Sequence, residues 1–156
     1  MTRIVLLGAG LIGREHAALI EAHAGLELAG ICDPSPASEE MARQLSVGHW
    51  TDYELMLDDA TPDGAIIALP NHLHAPAALA CIERGIACLV EKPVAETIAA
   101  GLRVAEASER VGVPVLVGHH RRHSPDIREA KRVIEAGELG PLVAVNGMTL
   151  FDKPED

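Results

Sequence analysis

Four groups of residues in this chain have the types and spacing to do chemistry. The first is a G-x-G-x-x-G turn, Gly8-Ala9-Gly10-Leu11-Ile12-Gly13, with an acid, Asp33, further along. Gly8 permits a tight turn, Gly10 lets the backbone approach a diphosphate, and Gly13 lets a helix pack close to a strand. Asp33 can accept hydrogen bonds from a ribose diol. A glycine-rich turn alone is weak evidence, and the setting makes this one specific. It follows the apolar run Ile4-Val5-Leu6-Leu7, opens a helical pattern, and precedes a second apolar run, Leu28 to Cys32, that ends on Asp33. The amides at Leu11 and Ile12 then stand at a helix N-terminus, a ready site for phosphate oxygens. These residues point to NAD. A carboxylate at 33 repels a 2′-phosphate and no arginine follows within the next few residues, so NAD is preferred over NADP.

The other three groups lie after later apolar runs. Leu69-Pro70-Asn71-His72-Leu73-His74 follows one, Glu91-Lys92-Pro93 a second, and Gly118-His119-His120-Arg121-Arg122-His123 a third. In an open α/β sheet, ligands sit at the carboxyl ends of the strands, so these loops belong at the same edge as the glycine turn. Lys92 is the candidate catalytic residue, an ammonium that polarises a hydroxyl or carbonyl oxygen and whose pKa burial would lower. A lysine at a strand end is ordinarily a surface residue; the flanking Glu91 and Pro93 favour the functional reading. Glu91 is expected to organise the loop or pair with a base. His119, His120 and His123, with His72 and His74, raise a metal site, but no cysteine or carboxylate completes a set, and no metal is expected. His16 reads as a packing or phosphate-side residue, while His23 and His49 carry no signal.

The elements that must hold these groups alternate along the chain. Strands are expected at about Arg3 to Leu7, Glu27 to Cys32, Val47 to Trp50, Gly64 to Leu69, Ala87 to Val90 and Val113 to Val117. Helices are expected at Leu11 to Ala24, Pro36 to Leu45 after the cap Ser35, Thr51 to Leu57, and His74 to Arg84 with Pro76 in its first turn. Two more follow, to Val111 after the cap Thr97 and from Pro125 to Ala136 closed by Gly137. Short, continuous apolar strands between amphipathic helices mean a mostly parallel sheet covered on both faces. The fold class is α/β, a doubly wound Rossmann sheet of order 3-2-1-4-5-6. Residues 1–120 form the NAD-binding domain. In 121–156, a connecting helix leads to a strand at Leu142 to Leu150 that begins a second domain otherwise absent, as expected of a chain truncated before its substrate domain.

Composition narrows the function classes. The chain has 156 residues, enough for one domain with a good core. A formal charge of −10 disfavours nucleic-acid backbones, and Trp50, Tyr53 and Phe151, the only aromatics, give no base-stacking platform. No apolar run reaches the length of a membrane span, and Met1-Thr2-Arg3 runs straight into a strand without a secretory signal. Cys32, Cys81 and Cys88 are odd in number and lie in apolar segments. They read as reduced core thiols of a cytoplasmic protein.

Four segments in register resemble the Gfo/Idh/MocA oxidoreductases, relatives of glucose–fructose oxidoreductase and inositol dehydrogenase. They are GAGLIG at 8–13, ALPNHLHAPAALACIERG at 68–85, LVEKPVAET at 89–97 and VGHHRRHSP at 117–125, continued by EAGELGPL at 135–142. The resemblance implies that Lys92 of Glu91-Lys92-Pro93 reaches the substrate hydroxyl, and that Pro93 follows a cis bond. It implies that Asn71 and His74, with Leu69 and Pro70, line the cofactor. Arg121 and Arg122 match an N-R-R-F segment near the nicotinamide, with His120 and His123 replacing its asparagine and phenylalanine. A second α/β domain in full-length relatives supplies most substrate contacts and a proton-accepting histidine, and they often form homo-oligomers through it. The implied activity is hydride transfer between NAD and a secondary alcohol of a sugar, inositol or related polyol. Two rivals stand beside it: a non-catalytic NAD-binding or sensing module, and an S-adenosylmethionine-binding fold, which the glycine spacing and the Glu-Lys-Pro segment disfavour.

Overall fold

In the computed structural model, which describes residues 1–148, contacts gather the chain into a first unit, Met1–His119, and a second that starts at His120. The first unit runs β1 (Thr2–Leu7), α1 (Leu11–Glu21), β2 (Leu26–Cys32), α2 (Pro36–Leu45), β3 (Gly48–Trp50), α3 (Tyr53–Ala60), β4 (Gly64–Ile67), α4 (Asn71–Glu83), β5 (Ala87–Val90), α5 (Ile98–Val111) and β6 (Val115–Val117). All strand pairs are parallel, in the order β3-β2-β1-β4-β5-β6. Chain direction across the sheet therefore reverses between β1 and β4, which opens a crevice at their carboxyl ends.

Alternation along β1 builds two cores, because successive side chains leave a strand on opposite faces. Leu6 joins Ala17 and Ile20 of α1, Leu28 and Ile31 of β2 and Ala42 of α2 on one side. Val5 and Leu7 join Met56 and Leu57 of α3, Ile67 of β4, Ala77, Ala78 and Cys81 of α4 and Val104 of α5 on the other. The alanines of α4 keep side-chain volume low, so this helix lies deep against the sheet, with seven residues from His74 to Ile82 buried. All three cysteines are free and buried.

Capping sets several boundaries more sharply than periodicity does. Ser35 accepts the Ser38 N–H at 3.3 Å and Thr97 accepts the Ala100 N–H at 3.2 Å, so α2 and α5 start where expected. The third helix starts at Tyr53 and runs to Ala60, not from Thr51 to Leu57, because the Asp52 carboxylate accepts the Glu54 N–H at 2.8 Å. The fourth starts at Asn71 and not at His74, which leaves Pro76 inside the helix. A proline there removes the N–H that would bond the His72 carbonyl. β4 and β6 are shorter than expected, and α1 ends at Glu21.

The second unit holds a short 3₁₀ turn, His120–His123, and helix α6 (Pro125–Glu135), followed by Gly137 at φ 72°. Residues 142–148, expected as strand, carry no strand pairing, and Val143 and Val145 are 97% and 82% exposed. A strand is stabilised by a neighbour that takes up its N–H and C=O groups, and no described segment pairs with this one. The rest of that expected strand, through Leu150, lies outside the described residues.

Candidate cofactor site

The residue after each of five strands donates its N–H to a carbonyl of the neighbouring strand, which extends the ladder into the loops. Gly8 bonds Cys32 O at 2.8 Å, Asp33 bonds Trp50 O at 3.0 Å, Ala68 bonds Leu7 O at 2.8 Å, Glu91 bonds Ile67 O at 2.9 Å and Gly118 bonds Val90 O at 2.8 Å. The glycine turn and the three polar loops thus leave the same edge from fixed points. The expected juxtaposition of loops is present.

The three glycines of the turn answer to different demands. A Cβ on Gly8 would meet the Ala68 carbonyl carbon at 2.7 Å and the Leu69 nitrogen at 2.9 Å, and its φ of 95° belongs to the left-handed region. A Cβ on Gly13 would drive into the Gly8 carbonyl, with the carbon at 2.9 Å. Gly8 and Gly13 are therefore dictated by the protein's own packing. Gly10 is not. It caps α1 with ordinary backbone angles, and a Cβ there would find nothing within 4 Å. The space beside Gly10 is open, next to free helical amides, and Leu11 and Ile12 flank it with exposed side chains. A diphosphate fits that cradle.

Asp33 closes the adjoining turn. Its Oδ2 accepts the Ala9 N–H at 2.9 Å and its Oδ1 the Ser35 N–H at 2.8 Å, so one carboxylate ties the glycine turn to the start of α2. Burial pushes this carboxyl up, but the hydrogen bonds from Ser35 and Ala9 outweigh it and hold the group below the usual aspartate range. Its stabilising contribution is therefore complete above the unfolded value of about 3.9 and is lost as pH falls through the lower folded value. Urea midpoints of the native chain and Asp33→Asn should accordingly differ at pH 7 and converge as the pH falls below the depressed folded value. Two residues behind the turn escaped sequence reading. Fully buried Ser38 donates its hydroxyl to Asp33 O at 2.9 Å, and His49 Nε2 lies 3.0 Å from the same carbonyl. The β2–β3 register, which sets His49 opposite Ile31, is the signal that would have found His49. Beside Asp33 a cavity of about 350 Å³ is lined by Pro34, Asp52, Tyr53, Leu69 and Leu73, among others.

The loop after β4 presents Leu69, Pro70 and Asn71 at the crevice, with Pro70 and Asn71 exposed. His74 lies elsewhere than expected. It is 1% exposed, and its Nδ1 and Nε2 lie 2.7 Å from Pro93 O and Leu69 O. Its ring nitrogens are committed to backbone and do not face the crevice; the helix start at Asn71 carries it one turn inward. His74 staples the β4 loop to the β5 loop. His74→Phe fills the same space without a donor and should lower stability by about 1–3 kcal/mol, read from the urea midpoint.

Glu91 and Lys92 part company at the end of β5. The Glu91 carboxylate is largely buried and lies 3.0 Å from His16 Nε2. It is paired with an imidazole from α1. Lys92 is exposed, so the burial expected of it is absent, and the Lys92–Pro93 bond is cis. Arg122 lies in the second unit, in the turn His120–His123, and His119 ends the first. Among the described residues no three His, Cys, Asp or Glu side chains converge as a metal site, and no helix is long and apolar enough to cross a membrane.

Residues 2–119 match the model of an oxidoreductase family described by its NAD-binding Rossmann fold, Gfo/Idh/MocA. The chain is 38% identical over 146 residues to an inositol 2-dehydrogenase of Saccharopolyspora erythraea, covering 90% of this chain and 43% of that protein. It is 33% identical over 151 residues to the scyllo-inositol 2-dehydrogenase (NAD(+)) of Bacillus subtilis, covering 94% and 44%. A crystal structure of scyllo-inositol dehydrogenase from Lactobacillus casei, holding NAD(H) and scyllo-inositol, superposes with a TM-score of 0.85 at 23% identity over 90% of this chain and 42% of that one, a likeness of fold. The chain spans less than half the length of these relatives. A six-stranded sheet reversing at β1 and β4, a glycine cradle open only at Gly10 and a match over residues 2–119 have one reading: this chain belongs to the Gfo/Idh/MocA oxidoreductase family and is built on its NAD-binding Rossmann domain.

Proposed function

We propose that this chain is the cofactor half of an NAD-dependent dehydrogenase acting on a secondary alcohol of an inositol or a related polyol or sugar. The observation that carries the reading is Gly10, whose missing side chain serves no packing need and leaves open space at the amides of α1. In this reading Gly8, Gly10, Leu11, Ile12 and Gly13 cradle the diphosphate, Asp33 takes the adenosine ribose, and the cavity walled by Pro34, Leu69 and Leu73 takes the adenine. Leu69, Pro70 and Asn71 border the path toward the nicotinamide, and Glu91 and Lys92 attend that end; for Arg122 the nicotinamide role is the one its segment's family resemblance implies. His74 supports the same loops from behind. Asp33, together with Asp52 and Glu54 along the cavity, makes that end of the crevice acidic and favours NAD over NADP.

Lys92 follows β5, two strands from the glycine turn, or about 10 Å along the sheet edge. From there its ammonium donates to the substrate hydroxyl oxygen and stabilises the negative charge that grows as the proton departs to a nearby base. Bound nicotinamide supplies the hydride acceptor. The chain's own residues hold, orient and polarise. The names of the relatives support the polyol. The free thiols support a reducing, cytoplasmic setting; burial first, then Asp52 and Asp33, pushes the Cys32 thiol up to about 12.

Titration calorimetry of the chain with NAD and NADP, together with NADH formation from myo- and scyllo-inositol by the protein as its gene encodes it, tests the proposal. Binding of NAD in preference to NADP and polyol-dependent NADH formation are expected. Failure to bind NAD would overturn it.

A further inference from the structure

The contact between His16 and Glu91 joins two parts of the site that the reading above treats separately. His16 lies on α1, three residues past Gly13, on the helix whose N-terminus forms the phosphate cradle; Glu91 directly precedes Lys92. A carboxylate only accepts hydrogen bonds, so at 3.0 Å the His16 ring presents its Nε2–H to Glu91 Oε1. Oε2 of the same carboxylate accepts the Lys92 N–H at 3.3 Å. The third side is closed by Gly118 at the end of β6, where a Cβ would sit 2.8 Å from Oε1 and 3.0 Å from Oε2. The side chains of His16 and Glu91 are 19% and 15% exposed, so water competes weakly for the pair. The Glu91 carboxylate therefore has one place to be, set by a donor on one side and by missing bulk on the other.

We propose that His16 is a positioning residue for Lys92: through Glu91 it fixes the loop carrying the catalytic ammonium relative to the helix that holds the cofactor diphosphate. This rests on the dehydrogenase reading for its effect on turnover, whereas the geometric part stands without it. Neither nitrogen of His16 need touch substrate. Its effect is on where Lys92 starts, and a displacement of about 1 Å from reacting geometry can cost about 10²-fold in rate.

Three variants test this in the protein as its gene encodes it. His16→Phe keeps a ring but removes the donor. His16→Gln restores an N–H at a similar reach. Gly118→Ala leaves His16 and Lys92 intact and displaces the carboxylate from the opposite side; the backbone at 118 is in an ordinary region, so only the crowding changes. His16→Phe and Gly118→Ala should each lower kcat by about 10- to 100-fold while the Kd for NAD stays within about twofold, and His16→Gln should recover most of kcat. Native kcat in His16→Phe would overturn the proposal, as would a fall in kcat matched by an equal loss of NAD affinity. Should the native protein bind NAD but oxidise no polyol, the dehydrogenase reading fails, and the backbone amide resonance of Lys92 decides the geometry. A shift in His16→Phe that returns in His16→Gln upholds the coupling, and an unmoved resonance sinks it.

Discussion

Alanine at Gly13 should destabilise the fold, and alanine at Gly10 should leave the fold alone and cripple NAD binding. At Gly13 the added methyl drives into the Gly8 carbonyl, a backbone atom that cannot swing aside, and the carbon behind it lies 2.9 Å away. Overpacking of this kind costs about 1–3 kcal/mol. At Gly8 the strain of a φ of 95° adds to the clash. At Gly10 the methyl enters open space, so the stability read from urea unfolding should fall only by the preference of a helix cap for glycine over alanine, about 0.5–1 kcal/mol. The same methyl occupies the volume a diphosphate needs, and each 1.4 kcal/mol of lost contact is about tenfold in Kd. Gly10→Ala is therefore expected to weaken NAD at least about tenfold by calorimetry with thermal stability largely retained. Equal losses of stability at positions 10 and 13 would contradict the assignment of Gly10 to the ligand.

Replacing Lys92 with methionine should abolish most turnover and spare the cofactor. Methionine keeps the length of the side chain and removes the charge. In the proposed reaction the ammonium is the cationic group that the β5 loop offers to a substrate oxygen, and loss of such polarisation and proton-transfer help is worth about 10²–10⁴-fold in kcat. Lys92 is exposed and stands two strands from the glycine turn, so neither stability nor NAD affinity should change much. A sensing module would have no use for the ammonium. Lys92→Met with undiminished NADH formation would remove this lysine from the mechanism.

Much of the site was legible in the residues because its logic is local. The apolar run to Leu7, the glycines at 8, 10 and 13 and the acid closing β2 describe one βαβ unit, and each part acts on a near neighbour. Strand order followed from the same unit, since right-handed crossovers leave few ways to wind a parallel sheet. Residues whose roles depend on distant partners could not be read this way. His74 sits in a motif rich in polar groups, but two backbone carbonyls 5 and 19 residues away claim its nitrogens. His49 gained a role because β3 lies beside β2 and sets it behind Asp33, 2.9 Å from the Ser38 hydroxyl. The segment at 142–148 has the composition of a strand and no described neighbour to make it one.

By itself the chain of residues determined the fold class, the sheet edge where the loops gather and the glycine turn with the acid that closes it, because periodicity, turn chemistry and helix ends are short-range. Tertiary structure alone decided which of three similar glycines has no packing reason to be one, which histidine is a staple, and that His16 and Glu91, 75 residues apart, form one pair. The physical reason is that a side chain's role depends on what faces it, and across a parallel sheet that is set by strand order and not by nearness along the chain.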